Sequence, residues 1–107
     1  MTTIAITDSA WTLATLTRDS GGGTVSIVVG IPQPTTGYAV SLQGFEHTAP
    51  YNALDEIDQL EHLYELTNEI ADFANRHAAW LAQPNHYLGA WISDGTLYLD
   101  VTEVVPE

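Results

Sequence analysis

Residues 87–101 constrain this chain more than any other stretch. Tyr87-Leu88-Gly89-Ala90-Trp91-Ile92 and Leu97-Tyr98-Leu99-Asp100-Val101 both alternate in character, and Ser93-Asp94-Gly95-Thr96 joins them. Asp-Gly between alternating runs is the strongest short-range hairpin signal, because a two-residue type I′ loop needs positive φ at both of its positions. Such a loop pairs Ile92 with Leu97, Ala90 with Leu99 and Leu88 with Val101. That face is wholly apolar and belongs to a core. The opposite face pairs Trp91 with Tyr98 and Gly89 with Asp100, and Tyr87 lies beside them.

The cover for the apolar face comes from the middle of the chain, where the period changes after Pro50. Leu60, Leu63, Thr67, Ile70, Ala74, Ala78 and Leu81 follow one another at spacings of three and four. At ~100° per residue they fall within an arc of roughly 80° on a helical wheel. Asn52 is a candidate N-cap, with Asp55, Glu56 and Asp58 in the first two turns, where carboxylates favour the helix dipole. The pattern predicts one long helix over 53–82, stopped before Pro84 and open to a break near Asn75.

The N-terminal half reads as strands. Residues 10–17 alternate, with Trp11 and Leu13 on one side and Ala14 and Leu16 on the other. The run 18–23 carries three consecutive glycines and reads as a loop. Val25, Ile27, Val29 and Ile31 then recur with period two before Pro32 and Pro34, and Tyr38, Val40 and Leu42 do so again, which predicts two further strands. Residues 3–7 can add a short strand or begin the first one. The expected architecture is α+β: an antiparallel sheet of four to five strands packed on one long amphipathic helix, in the order β-β-β-α-β-β, as a single domain over 1–107. In it, the Trp91–Tyr98 face is either a second layer of core covered by the N-terminal strands, which is the favoured reading, or an exposed contact patch.

Charge narrows the function. Fourteen Asp and Glu stand against Arg18 and Arg76, with no Lys, for a formal charge of −12. The acid content is ordinary, so the chain is not enriched in acid but stripped of base. A protein with no cations to neutralise phosphates is a poor direct partner for nucleic acid or for an anionic membrane, and a charged partner should itself be basic. The chain has no Cys, which excludes disulfides, thiolate metal sites and a thiol nucleophile. Residues 1–17 hold no Lys or Arg, so no secretory leader is expected, and a cytoplasmic setting is the expectation.

Chemistry-bearing motifs are absent. There is no Gly-x-Ser-x-Gly, no phosphate-binding glycine loop and no dinucleotide fingerprint, and Gly21-Gly22-Gly23 precedes a strand rather than a helix. No catalytic residue is assigned and an enzyme is not expected. The potential metal ligands His47, His62, His77 and His86 lack the Glu-x-x-His spacing and the His-x-x-x-His spacing. His62 and His77 read as helix-flank residues and His47 and His86 as loop residues, so neither a metal nor a cofactor is expected.

One feature rises above this background. Asp58, Glu61, Glu65, Glu69 and Asp72 are spaced 3, 4, 4 and 3 along the predicted helix, within roughly 80° of one another and opposite the apolar face. With Asp55 they form the candidate partner-binding residues. An exposed helix ordinarily intersperses Lys at i+4 to gain ~0.2–0.5 kcal/mol per pair. Glu61–Glu65 and Glu65–Glu69 are instead like-charge pairs, with only Arg76 to offset Asp72. A line of carboxylates approximates the charge density of one nucleic-acid strand.

Tyr87-Leu88-Gly89-Ala90-Trp91 followed by Leu97-Tyr98-Leu99-Asp100-Val101 resembles the ending of small acidic proteins of actinobacterial phages and mobile elements. The resemblance implies a mobile-element setting and assigns no site residue. Together with the charge stripe it points to an inhibitor of the anti-CRISPR or anti-restriction type. Such a DNA mimic would occupy the basic groove of a nucleic-acid-binding protein or nuclease complex. An immunity protein or antitoxin of a basic nuclease follows the same logic, and a structural or adaptor protein of a phage or mobile element is the alternative.

Overall fold

The computed structural model describes residues 3–31, 33–34, 37–50 and 59–105, with the side chains of all of these except Tyr38 and residues 59–62. The described elements are α1 (Ile6–Ser20), β1 (Gly22–Val25), β2 (Tyr38–Ser41), β3 (His47–Pro50), α2 (Gln59–Arg76), α3 (Ala78–Leu81), β4 (His86–Ser93) and β5 (Thr96–Val105). The class is α+β with a five-stranded antiparallel sheet, as expected. The order of elements is not the expected β-β-β-α-β-β.

The largest correction is at the N-terminus, where residues 10–17 form helix α1 and not a strand. Ala10, Leu13, Ala14 and Thr17 are its buried residues, and their spacing of 3, 1 and 3 is a helical stripe embedded in an apparent alternation. Three of its four threonines are accommodated by donating to carbonyls one turn back: Thr12 to Asp8 (3.0 Å), Thr15 to Trp11 (3.0 Å) and Thr17 to Leu13 (2.7 Å). Gly21 ends the helix in the left-handed region at φ 85°, its N–H donating to the Thr17 carbonyl, as a helix C-terminus of this type requires.

The glycine run is therefore only in part a loop. Gly22 and Gly23 belong to β1, and neighbours explain their lack of side chains. A Cβ on Gly22 would stand 2.5 Å from the Ala90 carbonyl oxygen, and one on Gly23 would stand 2.9 Å from Leu16 Cδ1 of α1. The strand expected over Val25–Ile31 stops at Val25. Beyond it the chain bends and pairs locally with the N-terminus: Ala5 N–H donates to the Ile27 carbonyl and Val29 N–H to that of Thr3 (both 2.8 Å), with a single bridge between Ile4 and Val28. Ile27 is buried, whereas Val29 and Ile31 are exposed.

The expected long helix is also divided. His77 leaves helical geometry at φ −120°, separating α2 from α3, close to the break expected near Asn75. Asn52 and the start of the predicted helix lie outside the described residues. Of the expected apolar face, Leu63, Thr67, Ile70, Ala74 and Leu81 are buried and Ala78 is half-buried, joined by Leu66 and Phe73, while the side chain of Leu60 lies outside the described set.

The sheet runs β1-β4-β5-β2, and β3 pairs with β5 beside β2. The hairpin register is as expected, with Ile92 opposite Leu97, Ala90 opposite Leu99 and Leu88 opposite Val101. Asp94 (φ 51°) and Gly95 (φ 73°) form the loop, both at positive φ as a type I′ turn demands. The helix-side face of the hairpin carries Leu88, Ala90, Leu97, Leu99 and Val101, all buried in one cluster with α1 and α2. β2 and β3 share the outer edge of β5: β3 pairs over Thr96–Leu99 and β2 over Thr102–Val105. Asp100 stands at the junction between them.

Candidate functional site

Helix α2 buries one side against α1 and the sheet, which leaves its acidic side outward. Glu65 and Asp72 are exposed. Glu61 lies in the first turn of the described helix, while Asp55 and Asp58 lie outside the described residues. Glu69 departs from the expected row of free carboxylates. It is half-buried, and its Oε1 lies 2.6 Å from Nε2 of His47 on β3. On the wheel Glu69 is the member of the row nearest Phe73, and the Phe73 ring lies tilted at 35° to His47 with centroids 6.1 Å apart. The acidic side is thus open at Glu65 and Asp72 and tied down at Glu69.

The two arginines do little to neutralise it. Arg18 pairs with its neighbour Asp19 (3.0 Å). Arg76 donates Nε–H to the backbone carbonyl of Asp72 (3.4 Å) and makes no ion pair with the Asp72 carboxylate. At the other flank of the acidic side, Trp11 of α1 and Tyr64 of α2 lie 5.6 Å apart, 39% and 54% exposed. Exposed aromatic pairs of this kind are common anchors of protein interfaces.

His47 and His86 are strand residues, not loop residues as expected, and His77 stands at the junction of α2 and α3. His47 lies in β3 and His86 opens β4. His86 is buried, with Nδ1 donating to the Trp80 carbonyl (2.7 Å) and Nε2 facing Glu103 (3.3 Å). His77 sits among Phe45 and Phe73, at 5.1 and 4.7 Å between centroids. Burial, with the nearby Arg76 and His47, holds its pKa below 6.5. His62 lies on α2 with its side chain outside the described set. Among the described residues no three His, Asp or Glu side chains are placed to hold a metal ion, and no helix is long and apolar enough to cross a membrane.

The Trp91–Tyr98 face is not covered by N-terminal strands, because residues 10–17 form α1 on the other side of the sheet and β1 and β2 lie beside β4 and β5 in the same sheet. Trp91 is 37% exposed and stacks on Tyr98 with centroids 5.2 Å apart and planes 4° from parallel. Next to it lies a cavity of about 410 Å³ whose lining includes Gly22, Thr24, Ser41, Gly89, Trp91, Asp100 and Thr102. Asp100 is 1% exposed, and it accepts hydrogen bonds from the hydroxyls of Ser41 and Thr102, the latter at 2.8 Å. The sequence signal for this group was the pairing of Gly89 with Asp100; Ser41, 59 positions away, gave none.

No protein-family model, curated protein or solved structure matches the chain.

Proposed function

We propose that this protein is a non-catalytic inhibitor that docks α2 into the basic groove of a nucleic-acid-binding protein or nuclease complex. In this reading it acts in the cytoplasm of a cell that hosts a phage or mobile element, in the manner of anti-CRISPR and anti-restriction DNA mimics. The observation that carries the reading is the exposure of Glu65 and Asp72 on one side of α2 with no cation among the described residues paired to either carboxylate. Glu61 and Asp72 are separated by ~17 Å at ~1.5 Å per residue, comparable to about five phosphates at ~3.4 Å each along one strand. Carboxylates at that spacing would pair with Lys and Arg that otherwise hold phosphates, and a net charge of −12 would speed the encounter. Trp11 and Tyr64 would supply the apolar anchor beside them.

The test measures protection of nucleic acid from a panel of basic nucleases and RNA-guided nuclease complexes over a range of salt. Inhibition of at least one target, fading as salt rises, is expected. Neutralising Glu61→Gln, Glu65→Gln and Asp72→Asn together should weaken inhibition about tenfold or more, taking ~0.5–1 kcal/mol per interfacial pair. The control triple Asp8→Asn, Glu46→Gln and Asp94→Asn removes three exposed charges elsewhere and should change it less than twofold. Equal losses from both triples would show that only net charge matters and remove α2 as the docking face. Inhibition of no target would favour a structural or adaptor role.

A further inference from the structure

We propose that the cavity on the outer face of the sheet binds a guanidinium group, the arginine side chain of a basic protein partner, between the Asp100 carboxylate and the Trp91 indole. The proposal concerns the face opposite the helices and does not depend on the reading of α2.

The cavity is built by omission of side chains. Gly22 is opposite Trp91 and Gly89 is opposite Asp100, so the outer face has a floor of bare backbone beside each functional side chain. At Gly89 the omission is required: a Cβ there would stand 2.5 Å from Asp100 Oδ1 and 2.9 Å from Thr102 Oγ1. The carboxylate therefore lies over β4 and lines the cavity. Gly22 places nothing between β1 and the indole.

The chemistry selects the occupant. An ionised carboxylate offers about four acceptor positions, two on each oxygen. Thr102 occupies one on Oδ1 and Ser41 one on Oδ2, and the guanidinium would take up one remaining acceptor on each oxygen from the cavity that Asp100 lines. Two acceptors side by side match the paired N–H donors of a guanidinium fork better than a single ammonium. Among the described residues no Arg or His pairs with Asp100, although a buried carboxylate is costly to keep without a cation. If its only task were to join β2 to β5, a neutral acceptor would serve without that cost. The indole beside it supplies the aromatic surface on which guanidinium groups stack. A cavity of about 410 Å³ accommodates the head and part of its stem, and the charge of −12 favours a basic partner.

The experiment titrates the intact protein with Nα-acetyl-arginine amide and follows backbone and indole N–H resonances by NMR. Saturable shifts centred on Gly89, Asp100, Thr102 and the Trp91 indole are expected, with a dissociation constant near the millimolar range. The neutral isostere Nα-acetyl-citrulline amide should bind at least tenfold more weakly, and the lysine amide severalfold more weakly. Asp100→Asn should weaken arginine binding at least tenfold. Should that variant fail to fold, Trp91→Leu, at a partly exposed site, should weaken it severalfold with the spectrum otherwise intact. The Glu61, Glu65 and Asp72 triple should leave it within twofold, which separates this site from the helix surface. Non-saturable shifts, equal binding of citrulline, or full affinity in folded Trp91→Leu would overturn the proposal while leaving any nuclease inhibition untouched.

Discussion

The two faces of the β4–β5 hairpin are made from alternate residues of the same strands and obey different physics. On the helix side Leu88, Ala90, Leu97, Leu99 and Val101 are buried against α1 and α2. Their contribution is area removed from water, which is non-directional and depends on volume. On the other side Gly89, Trp91, Tyr98, Asp100 and Thr102 form a glycine floor, a stacked aromatic pair and a hydroxyl-bonded carboxylate. Those interactions are directional, and each depends on a neighbour of one particular size. The difference teaches that period-two geometry lets one pair of strands hold the fold on one face and present recognition chemistry on the other. The two can be perturbed separately.

The largest effect expected is on the helix side. Leu99→Ala should lower stability by about 2–5 kcal/mol, as a fully buried leucine truncation does. Tyr98→Ala, one residue earlier and on the opposite face, should cost about 0.5–1.5 kcal/mol through loss of its stack on Trp91. Urea denaturation of the two variants checks the contrast, and equal losses would break it.

Gly89→Ala is the outer-face exception. It should cost about 1–3 kcal/mol, because the new methyl group meets Asp100 and Thr102 in a fixed space. Adding Asp100→Ala should recover part of that loss, and a double-mutant cycle reads the coupling. Strict additivity would mean that the carboxylate does not sit over Gly89.

The smallest effect belongs to His77, at the end of α2. Its pKa is lowered from 6.5, by burial first and then by Arg76 and His47. The unfolded chain therefore binds the proton more readily than the folded one, and stability rises with pH across the window just below 6.5. The contribution is present above 6.5 and lost as pH falls through the folded-state pKa. His77→Gln should flatten this part of the profile, measured as the difference in Tm between variant and parent against pH. An unchanged difference would remove His77 from the account.

Local pattern was sufficient wherever one periodicity had no competitor. The Asp94-Gly95 loop specified the hairpin register residue by residue, since a slip of one would turn the apolar set outward. The spacing of Leu63, Thr67, Ile70 and Ala74 specified the buried side of α2, and with it the exposure of Glu65 and Asp72. Residues 10–17 failed as a guide because so short a run satisfies both periods. Ala10, Leu13, Ala14 and Thr17 fit a helix as well as Trp11 and Leu13 fit a strand, and packing of α1 on α2 and β1 decided between them. The same holds for Gly22 and Gly23, whose composition reads as a loop until Ala90 and Leu16 are seen to need the space. The sites divide in the same way. By itself the sequence determined the base-poor charge, the acidic row and the Gly89–Asp100 pair. Only tertiary structure decided that Glu69 is held by His47, that Ser41 reaches Asp100, and that the Trp91 face stays open. Each of these joins residues far apart in the chain, and a contact set by how distant elements pack leaves no mark in the spacing of either partner.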